Sequence, residues 1–136
     1  MNHSITITLP YLPPASYSAN SRVHWSAKRG KRGANHDVLD DVRMLLAEQR
    51  QSGLAPPIDG NNCWHKVHIK VIFGLPDKRR RDPGGLQERM KPMYDALVAC
   101  AVMQDDDLRV IGWPEYSHHY SPKQTSTTIR IEEVLE

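Results

Sequence analysis

Cysteine is scarce in this chain. Cys63 and Cys100 are the only two among 136 residues, too few for a disulfide framework and without metal-ligand spacing. They read as ordinary thiols in a reducing compartment. Long apolar runs are missing as well. None approaches the roughly 18 residues that a membrane helix needs. The N-terminus has neither the charged nor the apolar region of a secretory signal, so a cytoplasmic location is expected. There is no internal repeat and no low-complexity tract. Net charge is small: 18 Lys and Arg against 16 Asp and Glu leave +2, so bulk electrostatics does not mark a nucleic-acid binder. The length predicts a single domain, 1–136, with a modest core.

The charge that is present is unevenly placed. Positive residues gather at 22–32 and 78–81; negative residues gather at 105–107 and in the C-terminal tail. The most informative stretch runs from Asp77-Lys78-Arg79-Arg80-Arg81-Asp82-Pro83-Gly84-Gly85-Leu86 through Lys91 and Asp95 to Asp105-Asp106-Asp107. Arginines neutralise a polyanion. Aspartates beside them would be repelled by that polyanion unless a cation lay between. The segment therefore points to metal-assisted chemistry on nucleic acid.

Periodicity supplies the frame. Residues 4–9 alternate polar and apolar, as a half-buried strand does, and Pro10 ends them. Val38, Val42, Leu45 and Leu46 recur at helical spacing over 35–50, with Asn35 or Asp37 as cap and Gly53 past the end. Residues 65–75 alternate again, with Val67, Ile69, Val71 and Phe73 on one face, and predict a central strand closed by Pro76. A second helix is expected over 86–102, kinked at Pro92 or restarting there with the proline in its first turn. Residues 108–111 and 116–120 read as strand pieces, and 126–134 as a last strand. The order is β-α-β-α-β-β: a mixed α/β domain with a four-stranded sheet and helices packed on it.

Each charged group has an ordinary use beside a chemical one. Asp82 follows a strand and either caps the next helix or turns to a cation with Asp105–Asp107; a hard ion such as Mg²⁺ takes carboxylate oxygens and keeps waters. Arg79, Arg80 and Arg81 either clamp phosphates or are solvated. Lys91 either approaches a phosphate or pairs with Asp95 at i+4. Arg22, His24, Lys28, Arg29, Lys31 and Arg32, with Trp25 among them, form a basic loop suited to a DNA backbone. His118 and His119 are neighbours in a strand and face opposite ways, which argues against a shared ion.

Arg80-Arg81-Asp82-Pro83-Gly84-Gly85-Leu86, then Lys91, Asp95-Ala96-Leu97 and the run from Asp105 to Val110, resembles the RusA family of Holliday junction resolvases, common in phages and prophages. Pro13-Pro14, Asn20, Arg22 and His24-Trp25 agree with it, and the resemblance covers most of the chain. It implies a homodimer that binds four-way DNA junctions in a bacterial cytoplasm and nicks two strands symmetrically with Mg²⁺ (or Mn²⁺). No membrane and no small-molecule substrate are implied. Carried over, Asp82 is the first metal-binding aspartate, Asp106 the later one with Asp105 or Asp107 as alternatives, and Lys91 the important lysine.

The chain departs from that pattern at one point. Gly84 and Gly85 stand where the family has an aspartate and an asparagine. Glu88 is the expected substitute ligand, and Asp77 a second candidate. Two other readings follow: a junction-binding protein that cuts poorly, and a non-enzymatic α/β module whose basic loop contacts a protein partner.

Overall fold

A computed structural model describes residues 3–14, 38–57 and 62–135. The basic loop of Arg22, His24, Lys28, Arg29, Lys31 and Arg32, together with Asn20, Trp25 and the cap candidates Asn35 and Asp37, lies outside the described residues. The strands are β1 (Ser4–Leu9), β2 (Val67–Leu75), β3 (Glu115–Tyr120) and β4 (Ser126–Glu133). The helices are α1 (Val38–Gln51), α2 (Pro83–Glu88), α3 (Lys91–Ala99) and α4 (Leu108–Ile111). The expected order β-α-β-α-β-β is present, with the second helix divided into α2 and α3 and the short α4 added after it.

The strands form one mixed sheet in the order β1-β4-β2-β3. β4 runs antiparallel to both β1 and β2, whereas β3 runs parallel to β2. The alternating sequence explains the register. Ile5 and Ile69 flank Ile131, Ile7 and Val71 flank Ile129, and Leu9 and Phe73 flank Thr127. All nine side chains are buried. A slip of one residue would turn every one of them to solvent, so the pattern fixes the pairing. Thr127 is the polar member of this layer, and its hydroxyl donates to the Tyr11 carbonyl at 2.8 Å. The opposite face is polar: Thr8 meets Thr128 at 3.2 Å and His68 meets Glu115 at 2.8 Å.

A parallel pair cannot be joined by a tight turn. The connection from β2 to β3 therefore has to cross the sheet, and it carries α2, α3 and α4. The buried side chains of this connection, Leu86, Met90, Met93, Leu97, Val110 and Ile111, join the same core as the strands. α1 packs against β1 and α3 through Val38, Val42 and Leu46. No helix of the described residues is long and apolar enough to cross a membrane.

Arg50, in the last turn of α1, ties the helical layer together. Its guanidinium donates to the Pro56 carbonyl at 2.5 Å and to the Cys100 carbonyl at the end of α3. Partial burial pushes its pKa down, with Cys100 acting the other way. Arg50→Ala strands two carbonyls and removes charged hydrogen bonds. It is expected to lower unfolding free energy by about 2 kcal/mol, read as a shift in urea midpoint at unchanged m-value.

Two expectations need correction. Leu108–Ile111, read as a strand piece, is one turn of helix. Asp107 caps it, accepting from the Arg109 and Val110 backbone N–H groups at 3.0 and 3.2 Å. A four-residue apolar run carries no usable period, and the capping aspartate decided the outcome. The helix expected over 86–102 starts earlier, at Pro83, and breaks at Arg89–Met90. It restarts with Pro92 in the first turn of α3, the position that tolerates a missing N–H.

Candidate active site

The crossover between β2 and β3 positions every charged group singled out at 77–107. Directly after β2, the Asp77 carboxylate accepts from the Arg79 backbone N–H at 3.1 Å. It also meets the Arg81 guanidinium at 2.9 Å, while Arg81 donates to the Asp77 carbonyl at 2.8 Å. The backbone hydrogen bond, followed by the two arginines, holds the Asp77 carboxyl below the usual carboxylate range. Arg81 is thus mostly covered and staples the turn. Arg79 and Arg80 project into solvent. Asp77 is committed to that staple rather than to the helix ahead.

Asp82 caps α2, with Oδ1 accepting from the Gly84 N–H at 3.1 Å. Both of its expected roles concern this neighbourhood, and the capping role is the one seen. Asp82 lines a hollow with Arg79, Arg80, Arg81 and Arg89. A Cβ built on Gly84 would sit 3.5 Å from Asp82 Oδ1, an ordinary contact.

Lys91 opens α3 and reaches two carboxylates. Its ammonium lies 3.1 Å from Asp95, one turn along the helix, and also hydrogen-bonds Asp106 across the loop that follows α3. The i+4 partner and the late aspartate are thus both engaged. The Asp106 hydrogen bond, with Asp95 adding to it, raises the Lys91 pKa against the effect of burial. Lys91 is therefore a permanent cation at neutral pH. Burial opposes ionisation of Asp106, whose side chain is only 16% exposed. The hydrogen bond and charge of Lys91 outweigh that burial, with Asp95 and Asp105 helping, and hold its pKa low.

The acidic triplet divides into three tasks. Asp105 accepts from the Asp106 backbone N–H at 2.7 Å. Asp107 caps α4 and pairs with Arg109 at 2.8 Å. Asp106 alone of the three lines a cleft of about 670 Å³, together with Glu88, Lys91, Tyr94, Trp113 and Tyr116. Its floor is fixed by the Tyr94 and Tyr116 hydroxyls, 2.7 Å apart, and by stacking of Tyr116 on Phe73. Burial, then the Tyr116 hydrogen bond, pushes the Tyr94 pKa up, so the Tyr94 hydroxyl stays neutral.

Sequence reasoning singled out Asp106, Lys91 and Glu88, and one cleft holds all three. Asp82 lines the arginine hollow instead; of the α2 residues, Gln87 lines the cleft and Leu86 the hollow. Among the described residues, no three His, Cys, Asp or Glu side chains gather as a ready metal cage. Two residues were missed. Trp113 lines the cleft and is 81% exposed. Its signal was present: an indole between Gly112 and Pro114, two turn residues. Arg89 joins the arginine hollow, but it stands alone in the sequence, outside the basic run.

Gly112 adopts φ +58° and ψ −139°, a conformation that side chains resist, although a Cβ there would meet nothing within 4 Å. Gly112→Ala is expected to cost about 1–3 kcal/mol from backbone strain alone, seen as a lower thermal midpoint. No family model matches the chain, and no curated protein is significantly similar to it.

Proposed function

We propose that this protein is a Mg²⁺-dependent endodeoxyribonuclease that binds four-way DNA junctions as a homodimer and nicks them in symmetric pairs. The observation that carries this reading is the Lys91–Asp106 pair in a cleft shared with Glu88, on the same crossover as a turn that presents Arg79 and Arg80. A lone acidic pair would repel DNA, and a lone basic turn would bind it without chemistry. Their place on one crossover suits a phosphodiester held by cations against carboxylates. The resemblance to RusA-type resolvases, carried by Arg81-Asp82, Lys91 and Asp95-Ala96-Leu97, supports the junction as substrate.

The donor set fits Mg²⁺. Mg²⁺ retains waters and is commonly held by one or two carboxylates plus substrate phosphates. Asp106 and Glu88 line one cleft and could supply those carboxylates, and Asp82 stands on the same crossover. When bound, such an ion polarises a phosphoryl oxygen and makes an attacking water more acidic. The protein's own groups do the rest. Lys91 is charged and is held by two aspartates, so its ammonium can meet charge growing on the phosphoryl group without a search for its position. Arg79 and Arg80 orient the backbone. A two-fold dimer presents two such clefts to the two continuous strands.

The test is a synthetic four-way junction with labelled strands. Cutting at symmetric positions in Mg²⁺, absent in EDTA and greatly weakened in Asp82→Asn, is expected. Cutting that survives Asp82→Asn at the wild-type rate would remove that residue from the site. Affinity should fall steeply as salt rises, because phosphate contacts release counterions.

A second reading rests on Gly84 and Gly85, which offer no side-chain oxygen where the family places an aspartate and an asparagine. On it, the protein binds junctions and cuts them slowly. Retention of junction in EDTA without nicks in Mg²⁺ would select it.

A further inference from the structure

Trp113 is 81% exposed and Leu108, which lines the same cleft, is 59% exposed. Large apolar side chains normally leave water when they can. Here the backbone keeps them out. Asp107 caps the turn that begins with Leu108, and Gly112 turns the chain through its positive φ. Pro114 limits the backbone on the far side of Trp113. The indole is therefore presented at the rim rather than folded into the core. Asp106 and Lys91 line the same cleft.

The occupant of such a cleft needs a flat apolar face joined closely to a phosphate. A nucleotide has both. Inside a duplex, each base covers its neighbours' faces, and an indole has nothing to stack on. At a branch point, strands part and a face is open. We propose that Trp113 stacks on a base at the crossover of the junction, fixing which phosphodiester lies over Lys91 and Asp106. This inference rests on the proposed function and adds to it a positioning residue and the nucleotide that it holds. Stacking of this kind tolerates any base, so Trp113 sets the distance of the cut from the branch rather than its sequence.

The experiment uses full-length protein and a four-way junction carrying 2-aminopurine either at the branch or in mid-arm. Wild type, Trp113→Ala and Trp113→Phe are titrated in EDTA, which keeps the DNA uncut. The Trp113→Ala variant should bind about tenfold more weakly, and Trp113→Phe within about threefold of wild type. Branch-site fluorescence should be quenched by wild type and Trp113→Phe and not by Trp113→Ala, with the mid-arm probe unaffected. In Mg²⁺, Trp113→Ala should scatter its cuts over several phosphates.

If Trp113→Ala binds and quenches as wild type does, the stacking role is overturned while junction binding stands. If the substitution instead turns a dimer into a monomer in sedimentation without DNA, the indole is a contact between copies, and the proposal is equally overturned. If wild type retains no junction at all, the functional reading fails first and this inference with it.

Discussion

Gly84→Asp is expected to raise the Mg²⁺-dependent nicking rate on a four-way junction by about 100-fold, close to 2.7 kcal/mol of barrier. The argument is steric and electrostatic. A Cβ at 84 would meet only Asp82, at 3.5 Å from its carboxylate, an ordinary contact. Two carboxylates would then flank the start of α2. Without a cation they repel each other, so Gly84→Asp should be slightly less stable than wild type in EDTA. With Mg²⁺ the repulsion becomes shared coordination, and the variant's thermal midpoint should rise more than that of wild type. Both readouts move together if the glycine is the missing ligand position. An unchanged rate, with no added Mg²⁺ stabilisation, would mean that Glu88 already fills that place, or that the carboxylates at 82 and 84 do not face the reacting phosphate.

The second large effect is at Asp106. Asp106→Asn keeps the shape of the side chain and removes its charge. Nicking should fall by about 1000-fold, through loss of both a cation-binding oxygen and the anchor of Lys91. Asp107→Asn should be much milder in rate, because Asp107 holds a helix turn and Arg109 rather than lining the cleft. Loss of the Lys91 ion pair should cost only about 1 kcal/mol of stability, since the ammonium is 63% exposed and screened.

The pH dependence follows from the same pair. The carboxyl of Asp106 has a lowered pKa in the fold, so its stabilisation is complete above its unfolded value and lost as pH falls through the folded one. Lys91 has a raised pKa, so its contribution is complete below its unfolded value and lost as pH rises through the folded one. In Asp106→Asn the acid limb of the stability profile should flatten and the alkaline limb should move to lower pH.

The sheet was legible because alternation is a strong signal. Ile5-Thr6-Ile7, Ile69-Lys70-Val71 and Ile129-Arg130-Ile131 each state which face is inside, and the structure uses those faces. Strand order was not legible. It depends on how the crossover after Pro76 returns to the sheet, a long-range choice that no local pattern encodes. The helical region was half legible. Pro92 marked a restart, but the break at Arg89–Met90 has no local signature, and Val110 with Ile111 favoured strand until Asp107 capped them.

The site shows the same division. The adjacency of Lys91 and Asp95 is a property of one helix and follows from spacing. The meeting of Lys91 with Asp106 needs the turn at 100–104, where the Trp64 N–H donates to the Val102 carbonyl at 2.8 Å and the Gln104 N–H returns a bond to the Trp64 carbonyl at 2.9 Å. Those bonds anchor the acidic triplet beside the strand and decide which aspartate faces the cleft. A run of three identical residues cannot carry that choice in its sequence. Trp113 was overlooked for a related reason: a tryptophan is ordinarily read as core, and only the backbone at Gly112 turns it outward.

The most direct measurement is single-turnover nicking of a labelled four-way junction in Mg²⁺ by wild type and Asp106→Asn, with binding followed in EDTA. Tight junction binding by both proteins, with paired nicks made by wild type and nearly lost in the variant, is the predicted result. Equal nicking by the two proteins, or failure of either to hold branched DNA at moderate salt, would contradict a nuclease centred on Lys91 and Asp106.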